Sequence, residues 1–430
     1  MMALSYQQKY VWLGVREHPG SPHSNIDIPL RLGFDVDPEL LESCLRFLVH
    51  RHEALRTAYG LDGNAPRPLP MSADHLTMER VDLSSLDPAR GRTRLHQLID
   101  ECARQPIPAD GLPVTARLIR LSQVESILAL TFHHLACDGA SLLRLIGELA
   151  ALYESRLHGD IHRLEPLCPY QYSTFTRNQR TFLQSDRAQR QMDYWRAKLA
   201  GKTGLSPQGH LPRPDTPPTR LAVKCFLLDS HLISRIEGFC RDSRKSPFVL
   251  FLTALNLTLR RQRDESQVMV ASVFPGHLPK TRTPVGYLAN IVILQTDFEP
   301  GTTAGESLSK VTRTVRETVA HQDIPLLWIL DNVLDGDIRR LPSVHINYIP
   351  VDKVLLSFTE FVTSLAETPK TEIAWTGIDF YDLGFRIVHS IAGIQVECRY
   401  DARFLSDADI KNFWHSYLDD LFDICAMRGV

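Results

Sequence analysis

Apolar residues recur every three or four positions in several segments of the chain, a spacing that places them on one face of an α-helix. The first clear case follows Asp37-Pro38, where the segment ELLESCLRFLVHRHEALRTAY carries Leu41, Leu45 and Leu48 on its apolar side. Aspartate is a favoured N-cap residue, and proline is favoured in the first helical turn. The pattern therefore predicts a capped amphipathic helix that begins directly after Asp37.

Two short apolar segments and a longer amphipathic one come next. VTARLIRL and ESILALTF are rich in β-branched and aliphatic residues and are separated by Ser122-Gln123-Val124, so they predict two adjacent strands. DGASLLRLIGELAALYESRL follows and predicts a long helix with Asp138 near its N-cap.

Strand and helix patterns keep alternating to the end of the chain, which favours a mixed α/β fold. The segment 209–220, GHLPRPDTPPTR, has four prolines in twelve residues and predicts a linker. We therefore predict two lobes, an N-terminal lobe at 1–175 and a C-terminal lobe at 176–430 that includes this linker. Further helices are predicted at 186–201, 248–261, 304–321 and after Ser406, and further strands at 222–228, 268–274 and 387–400.

Composition and charge narrow the class of protein. Lys and Arg number 48 against 50 Asp and Glu, and this balance argues against a protein that binds nucleic acid by neutralising many phosphates. The eight cysteines include no CxxC pair, which argues against a disulfide framework or a thiolate metal site. The first residues, MMALSYQQKYVWLG, lack the regions of a signal peptide, and no apolar stretch is long enough for a membrane helix. These features predict a cytoplasmic globular protein that binds neither nucleic acid nor membrane.

The strongest candidate for chemistry is TFHHLACDGAS, residues 131–141, where a predicted strand gives way to a helix. A neutral imidazole at His134 can accept a proton from a nucleophile near physiological pH. Asp138 follows four positions later and can support the turn or orient the ring. Gly139 lets the backbone approach neighbouring groups or adopt angles that a side chain forbids. Amide groups at the start of the helix can face an anionic transition state.

Three other interpretations of this segment remain open from the residues alone. The two histidines can be ordinary core or helix-cap residues. His133, His134 and Asp138 can be metal ligands, although adjacent residues of an extended segment point in opposite directions and no HxH or HExxH element completes a site. A serine hydrolase is disfavoured because the chain has no GxSxG elbow. General-base catalysis is the leading hypothesis, and no metal site is predicted.

HHLACDGAS resembles the HHxxxDG motif of the condensation-domain superfamily, which includes nonribosomal peptide synthetase condensation domains and chloramphenicol-acetyltransferase-like enzymes. Other segments resemble further motifs of this family, in the family's order. They are LSYQQKYVW (LSxxQxxxW), RHEALRTAY (RHExLRTxF), DYWRAKLAG (YWxxxLAG), VGYLANIVIL (VGxFxN), HQDIPLLWIL (HQDxPFxxL) and AGIQVECRYDARFLS (YxxxxFS). The resemblance covers nearly the whole chain.

The resemblance implies an α/β fold of two chloramphenicol-acetyltransferase-like lobes in a V-shaped pseudo-dimer, with the active site at their interface. His134 is implied to deprotonate or position the acceptor, while Asp138 keeps the loop in place. The family's site residues correspond here to catalytic His134, Asp138 and Gly139, to His133 and Ser141 as motif support, and to Asn290 as a substrate-binding residue.

The implied reaction transfers an acyl group from a phosphopantetheine thioester to an amine or hydroxyl acceptor in natural-product biosynthesis, including nonribosomal peptide antibiotics. Since the chain starts with the opening motif and stops after the last helix, we expect a free-standing condensation enzyme that recruits an acyl or peptidyl carrier protein in trans. No tightly bound cofactor is implied, and a monomer is expected because two lobes supply both halves of the cleft. A coenzyme A-dependent O- or N-acyltransferase and a non-catalytic recruitment domain remain open as alternatives.

Several positions depart from the family pattern. Gly276-His277 stands where many members carry Gly-Arg, Leu288 replaces an aromatic residue, and Gln295 stands where arginine is common. The arginine-containing segment expected after the HQD motif has only a weak match at 337–340. These departures leave open the type of substrate and the residue that pairs with Asp138.

Overall fold

The computed structural model describes residues 4–17, 20–62, 65–159, 168, 170–202, 221–263, 266–276, 284–337, 340–350, 381–390 and 393–427. These residues divide into two compact units. The first takes its residues from Met1–Ser185 and Pro275–Ala289, and the second from Asp186–Phe274, Asn290–Val351 and Asp379–Val430. The predicted division at 175/176 stays a prediction. Within the first unit, the segment Pro275–Ala289 is remote in sequence from every residue it joins.

The first unit combines a four-stranded sheet, a separate strand pair and five α-helices among its described residues. The helices are α1 (Tyr6–Glu17), α2 (Pro38–Arg51), α3 (Pro88–Arg104), α4 (Gly139–Leu157) and α5 (Tyr172–Leu183). The strands are β1 (Asn25–Leu32), β2 (Thr57–Asp62), β3 (Ala65–Pro70), β4 (Met78–Asp82), β5 (Val114–Ser122) and β6 (Glu125–His133). The sheet order is β1-β6-β5-β4, and β2 pairs with β3. Among these described strands, only β4 and β5 pair in parallel.

Strand β6 is apolar at successive positions because it is central in its sheet and both of its faces are covered. Leu128, Leu130 and Phe132 pack into a core with side chains of α2 and α4. Ile127 faces the other way, into a cluster with Leu98 and other residues of α3. Alternate side chains of a strand point to opposite faces, so one strand supplies both cores. The turn that follows β6 therefore begins at a strand that is packed on both faces.

The second unit has a six-stranded mixed sheet and six helices in its described part. The helices are α6 (Asp186–Leu199), α7 (Ser230–Ser243), α8 (Pro247–Arg263), α9 (Ala304–Ala320), α10 (Leu326–Val333) and α11 (Asp407–Ala426). The strands are β7 (Leu221–Leu227), β8 (Gln267–Phe274), β9 (Asn290–Asp297), β10 (Val344–Pro350), β11 (Leu383–Ser390) and β12 (Gly393–Asp401). The order is β7-β12-β11-β10-β8-β9, in which β10 runs parallel to both of its neighbours. The mixed α/β fold predicted from the sequence is confirmed.

The local predictions agree closely with these elements, with two changes. The helix predicted over ELLESCLRFLVHRHEALRTAY ends at Arg51, because His52 takes extended backbone angles; a 3₁₀ turn follows at Glu53–Arg56, and Thr57 begins strand β2.

The second change lies near the end of the chain. The continuous strand pattern at 387–400 belongs to two antiparallel strands, β11 and β12. Ser390 pairs with Gly393, whose φ of +126° is a conformation that side-chain-bearing residues rarely adopt. The chain therefore reverses inside a segment whose apolar residues alone indicate a single strand.

Some sequence predictions fall on residues outside the described ranges. These are the linker at 209–220, His277, and residues 338–339 of the weak arginine-containing match.

In the described part of the chain, no helix is both long enough and apolar enough to cross a membrane.

A partly buried ion cluster joins α2 to α4. Glu148 accepts hydrogen bonds from Arg51 Nε at 3.1 Å, His52 Nε2 at 2.7 Å and Arg144 Nε at 2.8 Å. Burial by itself raises the pKa of the Glu148 carboxyl, but the His52 hydrogen bond and the Arg144 guanidinium outweigh it and lower that pKa from 4.5 to about 2. A lowered carboxyl pKa means that the native state stabilises the charged form.

Replacing Glu148 by glutamine is expected to lower the free energy of unfolding at pH 7 by about 2 kcal/mol, after allowance for solvent screening of a partly exposed group. The contribution of Glu148 is fully present above its ordinary pKa of 4.5 and is lost as the pH falls towards 2. The difference between native chain and variant should therefore shrink in acid. Urea unfolding at several pH values checks this, with Glu154→Gln on the exposed side of α4 as the control. A difference that stays constant with pH would contradict it.

Candidate active site

Strand β6 delivers the two adjacent histidines to a tight turn before α4. His133 is the last residue of the strand and pairs with Asn25 of β1. Its Nδ1 accepts a hydrogen bond from the backbone N–H of Leu135 at 3.0 Å, so the ring takes part in closing the turn. A ring nitrogen that accepts carries no proton, which leaves the proton of a neutral His133 ring on Nε2. His133 therefore helps to hold the turn, while its role as a supporting residue of the motif stays a prediction.

His134 is buried, with 8% of its surface exposed, and both its backbone and its ring are held by neighbouring residues. Its backbone N–H donates to Ser24 O at 2.7 Å, and its ring lies edge-on to Tyr287, with ring centroids 5.4 Å apart. Nδ1 lies 3.2 Å from the carbonyl oxygen of Cys137. A carbonyl can only accept, so Nδ1 carries the proton and Nε2 carries the basic lone pair.

Burial lowers the pKa of His134 from 6.5 to about 4, against the opposing effect of the Cys137 hydrogen bond. The imidazole is therefore neutral throughout the physiological range. A neutral ring with its tautomer set by a backbone carbonyl has the form that a general base or a hydrogen-bond acceptor requires.

Activity that depends on neutral His134 is expected to persist well below pH 6.5. Because the ring protonates only as the pH falls through about 4, we expect it to cause no loss of kcat/KM between about pH 8 and pH 5. A profile of kcat/KM against pH, recorded where circular dichroism shows native structure, checks this. An acid limb centred near pH 6.5 that disappears in a His134 variant would overturn the expectation.

Asp138 links the start of α4 to the remote segment 285–289. Its Oδ1 accepts the N–H of Ser141 at 2.8 Å, which caps α4, and its Oδ2 accepts the N–H groups of Leu288 and Ala289, each at 2.9 Å. The carboxyl is 3% exposed, and burial raises its pKa even though these N–H groups act to lower it. The open question of what pairs with Asp138 is answered by three backbone amides. No arginine takes that place among the described residues.

Ser141 joins the same two segments through a second contact. Its hydroxyl donates to Gly286 O at 2.8 Å and accepts the Gly286 N–H at 3.1 Å. A Cβ on residue 286 would lie 1.9 Å from the ring of Tyr172, so glycine is required for this close approach. Tyr172 in turn donates its hydroxyl to Tyr287 O at 2.7 Å. The turn after β6 and the segment 285–289 are thereby fixed together.

Gly139 begins α4, but the steric reasons proposed for it from the sequence do not hold. A Cβ at this position would meet no atom within 4 Å, and its φ is not in the left-handed region. Neither a close backbone approach nor an unusual conformation requires glycine there. A role of its N–H group in the chemistry stays a prediction.

Asn290 lies at the start of β9, in the second unit, and its amide is fully engaged there. Nδ2 donates to Gln322 O at 2.8 Å and to Ile324 O at 2.7 Å, and Oδ1 accepts the Leu326 N–H at 3.3 Å. These contacts tie β9 to the segment before α10. They give Asn290 a clear positioning role, while substrate binding by this residue stays a prediction.

The sequence interpretation missed a layer of polar residues beneath the turn. Gln8 of α1 donates through Nε2 to Leu135 O at 2.7 Å and to the Tyr59 hydroxyl at 2.6 Å. Gln8 belongs to the LSYQQKYVW motif and Tyr59 to RHEALRTAY, so the sequence shows each residue in a family motif but does not show that the two side chains contact each other.

The described residues contain no group of three or more His, Cys, Asp and Glu side chains suited to a metal ion.

Comparison with known proteins gives consistent results. The family model Condensation domain matches residues 1–426. A linear gramicidin synthase chain of Brevibacillus parabrevis is 28% identical over 424 residues, which are 96% of this chain and 5% of the synthase chain. Phosphinothricin tripeptide synthetase PhsC of Streptomyces viridochromogenes is 31% identical over 333 residues, 76% of this chain and 30% of the synthetase. The chain therefore spans a small part of these relatives' length.

Among solved structures, the SgcC5 protein from Streptomyces globisporus, crystallised with (R)-(-)-1-(2-naphthyl)-1,2-ethanediol and sucrose, superposes with a TM-score of 0.80. The match covers 99% of this chain and 98% of SgcC5 at 22% sequence identity. At that identity the likeness establishes the fold.

Proposed function

Because this chain belongs to the condensation-domain family, which supports an acyltransferase role at a general level, we propose that it transfers an acyl group from a carrier-bound phosphopantetheine thioester to an amine or hydroxyl acceptor. The observation that carries this proposal is the state of His134. The ring is neutral, buried and held with its basic lone pair on Nε2. The synthetase relatives make a biosynthetic acyl donor the natural choice.

In the proposed reaction the acceptor nitrogen or oxygen attacks the thioester carbonyl carbon. The new C–N or C–O bond forms, and the carbonyl oxygen takes the negative charge of a tetrahedral intermediate. His134 Nε2 receives the acceptor's proton, the C–S bond then breaks, and that proton goes to the departing thiolate. The products are an amide or ester and the free phosphopantetheine thiol.

The low pKa of His134 decides when the proton moves. A base with a pKa of about 4 is too weak to ionise a free amine or alcohol beforehand. Once the new bond forms, the attacking atom becomes strongly acidic, and transfer to the ring becomes favourable. His134 thus first orients the acceptor as a hydrogen-bond acceptor and takes the proton late. Orientation of this kind contributes a large share of the rate in two-substrate reactions.

Asp138 acts on this chemistry through the backbone. Both of its oxygens are bonded to amide groups of α4 and of the segment 285–289. It is therefore a positioning residue that holds the turn carrying His134 and the segment carrying Tyr287. A proton relay through Asp138 is not part of the proposal.

The test is a donor comparison read by intact mass spectrometry. The chain is incubated with a panel of amines and alcohols and with one acyl group on either a phosphopantetheinylated carrier protein or coenzyme A. Transfer from the carrier at a rate well above that from coenzyme A supports the proposal, and the reactive acceptors decide between amide and ester. Transfer from coenzyme A alone would favour the coenzyme A-dependent alternative. No transfer from either donor would favour a recruitment role.

A further inference from the structure

A cavity of about 390 Å³ lies inside the first unit, on the side of α5. Its inner wall contains Gln8, Tyr59 and Tyr172, all of which are buried, and its outer wall contains the exposed side chains of Arg177 and Arg180. The cavity is roomy enough for a small organic molecule and combines apolar rings with polar groups, as binding pockets commonly do.

We propose that this cavity binds a small anionic molecule whose carboxylate or phosphate contacts Arg177 and Arg180 and whose inner end accepts a hydrogen bond from Tyr59. The site lies outside the His134 chemistry proposed above and does not depend on it.

The two arginines form the anion-binding end. They are three residues apart on α5, so both side chains project from the same face of the helix. Neither guanidinium has a hydrogen-bond or ion-pair partner anywhere in the described ranges. The one carboxylate of the lining, on Glu53, is already bonded to the backbone N–H of Ser173. Two guanidinium groups against one carboxylate leave an excess positive charge, and guanidinium binds carboxylate and phosphate with matched, bidentate geometry.

Tyr59 supplies the inner hydrogen-bond donor. Only 6% of the surface of Tyr59 is exposed. Its hydroxyl oxygen accepts a hydrogen bond from Gln8 Nε2 at 2.6 Å. The tyrosine O–H itself donates to no residue that the structure describes. A buried donor without an acceptor costs free energy, which a ligand oxygen in the cavity would recover. The neighbouring Tyr172 has no such donor to spare, since its hydroxyl already donates to Tyr287 O.

The inner wall also touches the turn that carries His134. Gln8 bonds to Tyr59 on the cavity side and to Leu135 O on the turn side. A ligand in the cavity would therefore lie next to side chains that hold the residues flanking His134. This contact gives the site a direct physical connection to the candidate active site.

Isothermal titration of the whole chain tests the proposal with three probes. Succinate carries carboxylates, 4′-phosphopantetheine carries a phosphate, and pantetheine is the matched neutral compound. We expect succinate or 4′-phosphopantetheine to bind with an affinity that falls as salt is added, and pantetheine to bind more weakly than its phosphorylated form. Preference between the two anions identifies the source of the anionic group.

In the Arg177→Gln/Arg180→Gln variant we expect the affinity for the bound anion to fall about tenfold or more, as for loss of charge-assisted hydrogen bonds. Tyr59→Phe, which removes only the hydroxyl, should weaken binding by a smaller factor. Arg92→Gln, an exposed arginine of α3 away from the cavity, should leave binding unchanged. Absence of binding by both anions, or equal affinity in the native chain and the double arginine variant, would overturn the proposal.

Discussion

Replacing His134 by alanine is expected to lower the rate of acyl transfer about 10²- to 10⁴-fold, the usual contribution of a positioned proton acceptor. The variant loses the Nε2 lone pair that receives the acceptor's proton and the ring that orients the acceptor. It keeps the backbone bond to Ser24, so the turn itself should persist. Intact-mass measurement of transfer from a loaded carrier protein, at saturating acceptor, gives the rate ratio.

Two controls make this result interpretable. Circular dichroism and urea unfolding must show that His134→Ala is folded, because the ring also packs on Tyr287. His96→Ala on α3 removes a histidine that is only partly buried, and it should transfer at the native rate. Equal transfer by a folded His134→Ala chain and the native chain would remove this residue from the chemistry. The acyl transfer would then rest on positioning by other groups.

The elements of the fold that depend on neighbouring residues could be predicted from the sequence. The cap of α2 is an example, since Asp37 accepts the Leu40 N–H at 2.9 Å, as the Asp-Pro start predicts. The cap of α4 at Asp138 follows the same rule. In both cases the capping aspartate and the backbone N–H that it accepts lie within one helical turn, so the spacing of residue types along the sequence is enough to predict the cap.

Contacts between remote segments could not be predicted in this way. The Asp138 bonds to Leu288 and Ala289 cross about 150 residues and use backbone N–H groups, which every residue except proline carries. No side-chain pattern distinguishes those two amides from any others. The family pattern suggested an arginine as the partner, whereas backbone N–H groups of α4 and of the segment 285–289 satisfy the carboxylate. The insertion of β10 in parallel between β8 and β11 is likewise a property of the whole sheet.

Replacing Asp138 by alanine is expected to lower the free energy of unfolding by about 3 kcal/mol, because three buried N–H groups lose their acceptor together. It should also lower acyl transfer, since the turn carrying His134 and the segment carrying Tyr287 lose their connection. The conservative variant Asp138→Asn should not restore native stability, because its amide NH₂ would face N–H groups that need an acceptor. Urea unfolding and the carrier-based transfer assay measure the two effects.

Asp37→Ala is the matched control, because Asp37 caps α2 through one exposed hydrogen bond and touches no remote segment through that bond. Loss of an ordinary N-cap costs about 1 kcal/mol, so this variant measures the capping part of the Asp138 effect. The excess in Asp138→Ala then reports the bonds to Leu288 and Ala289. If both variants lose the same stability and both keep native transfer, Asp138 is only a helix cap. A larger loss at Asp138, with slow transfer in chains that are still folded, would show that one carboxylate sets both the stability of the turn and the position of the base.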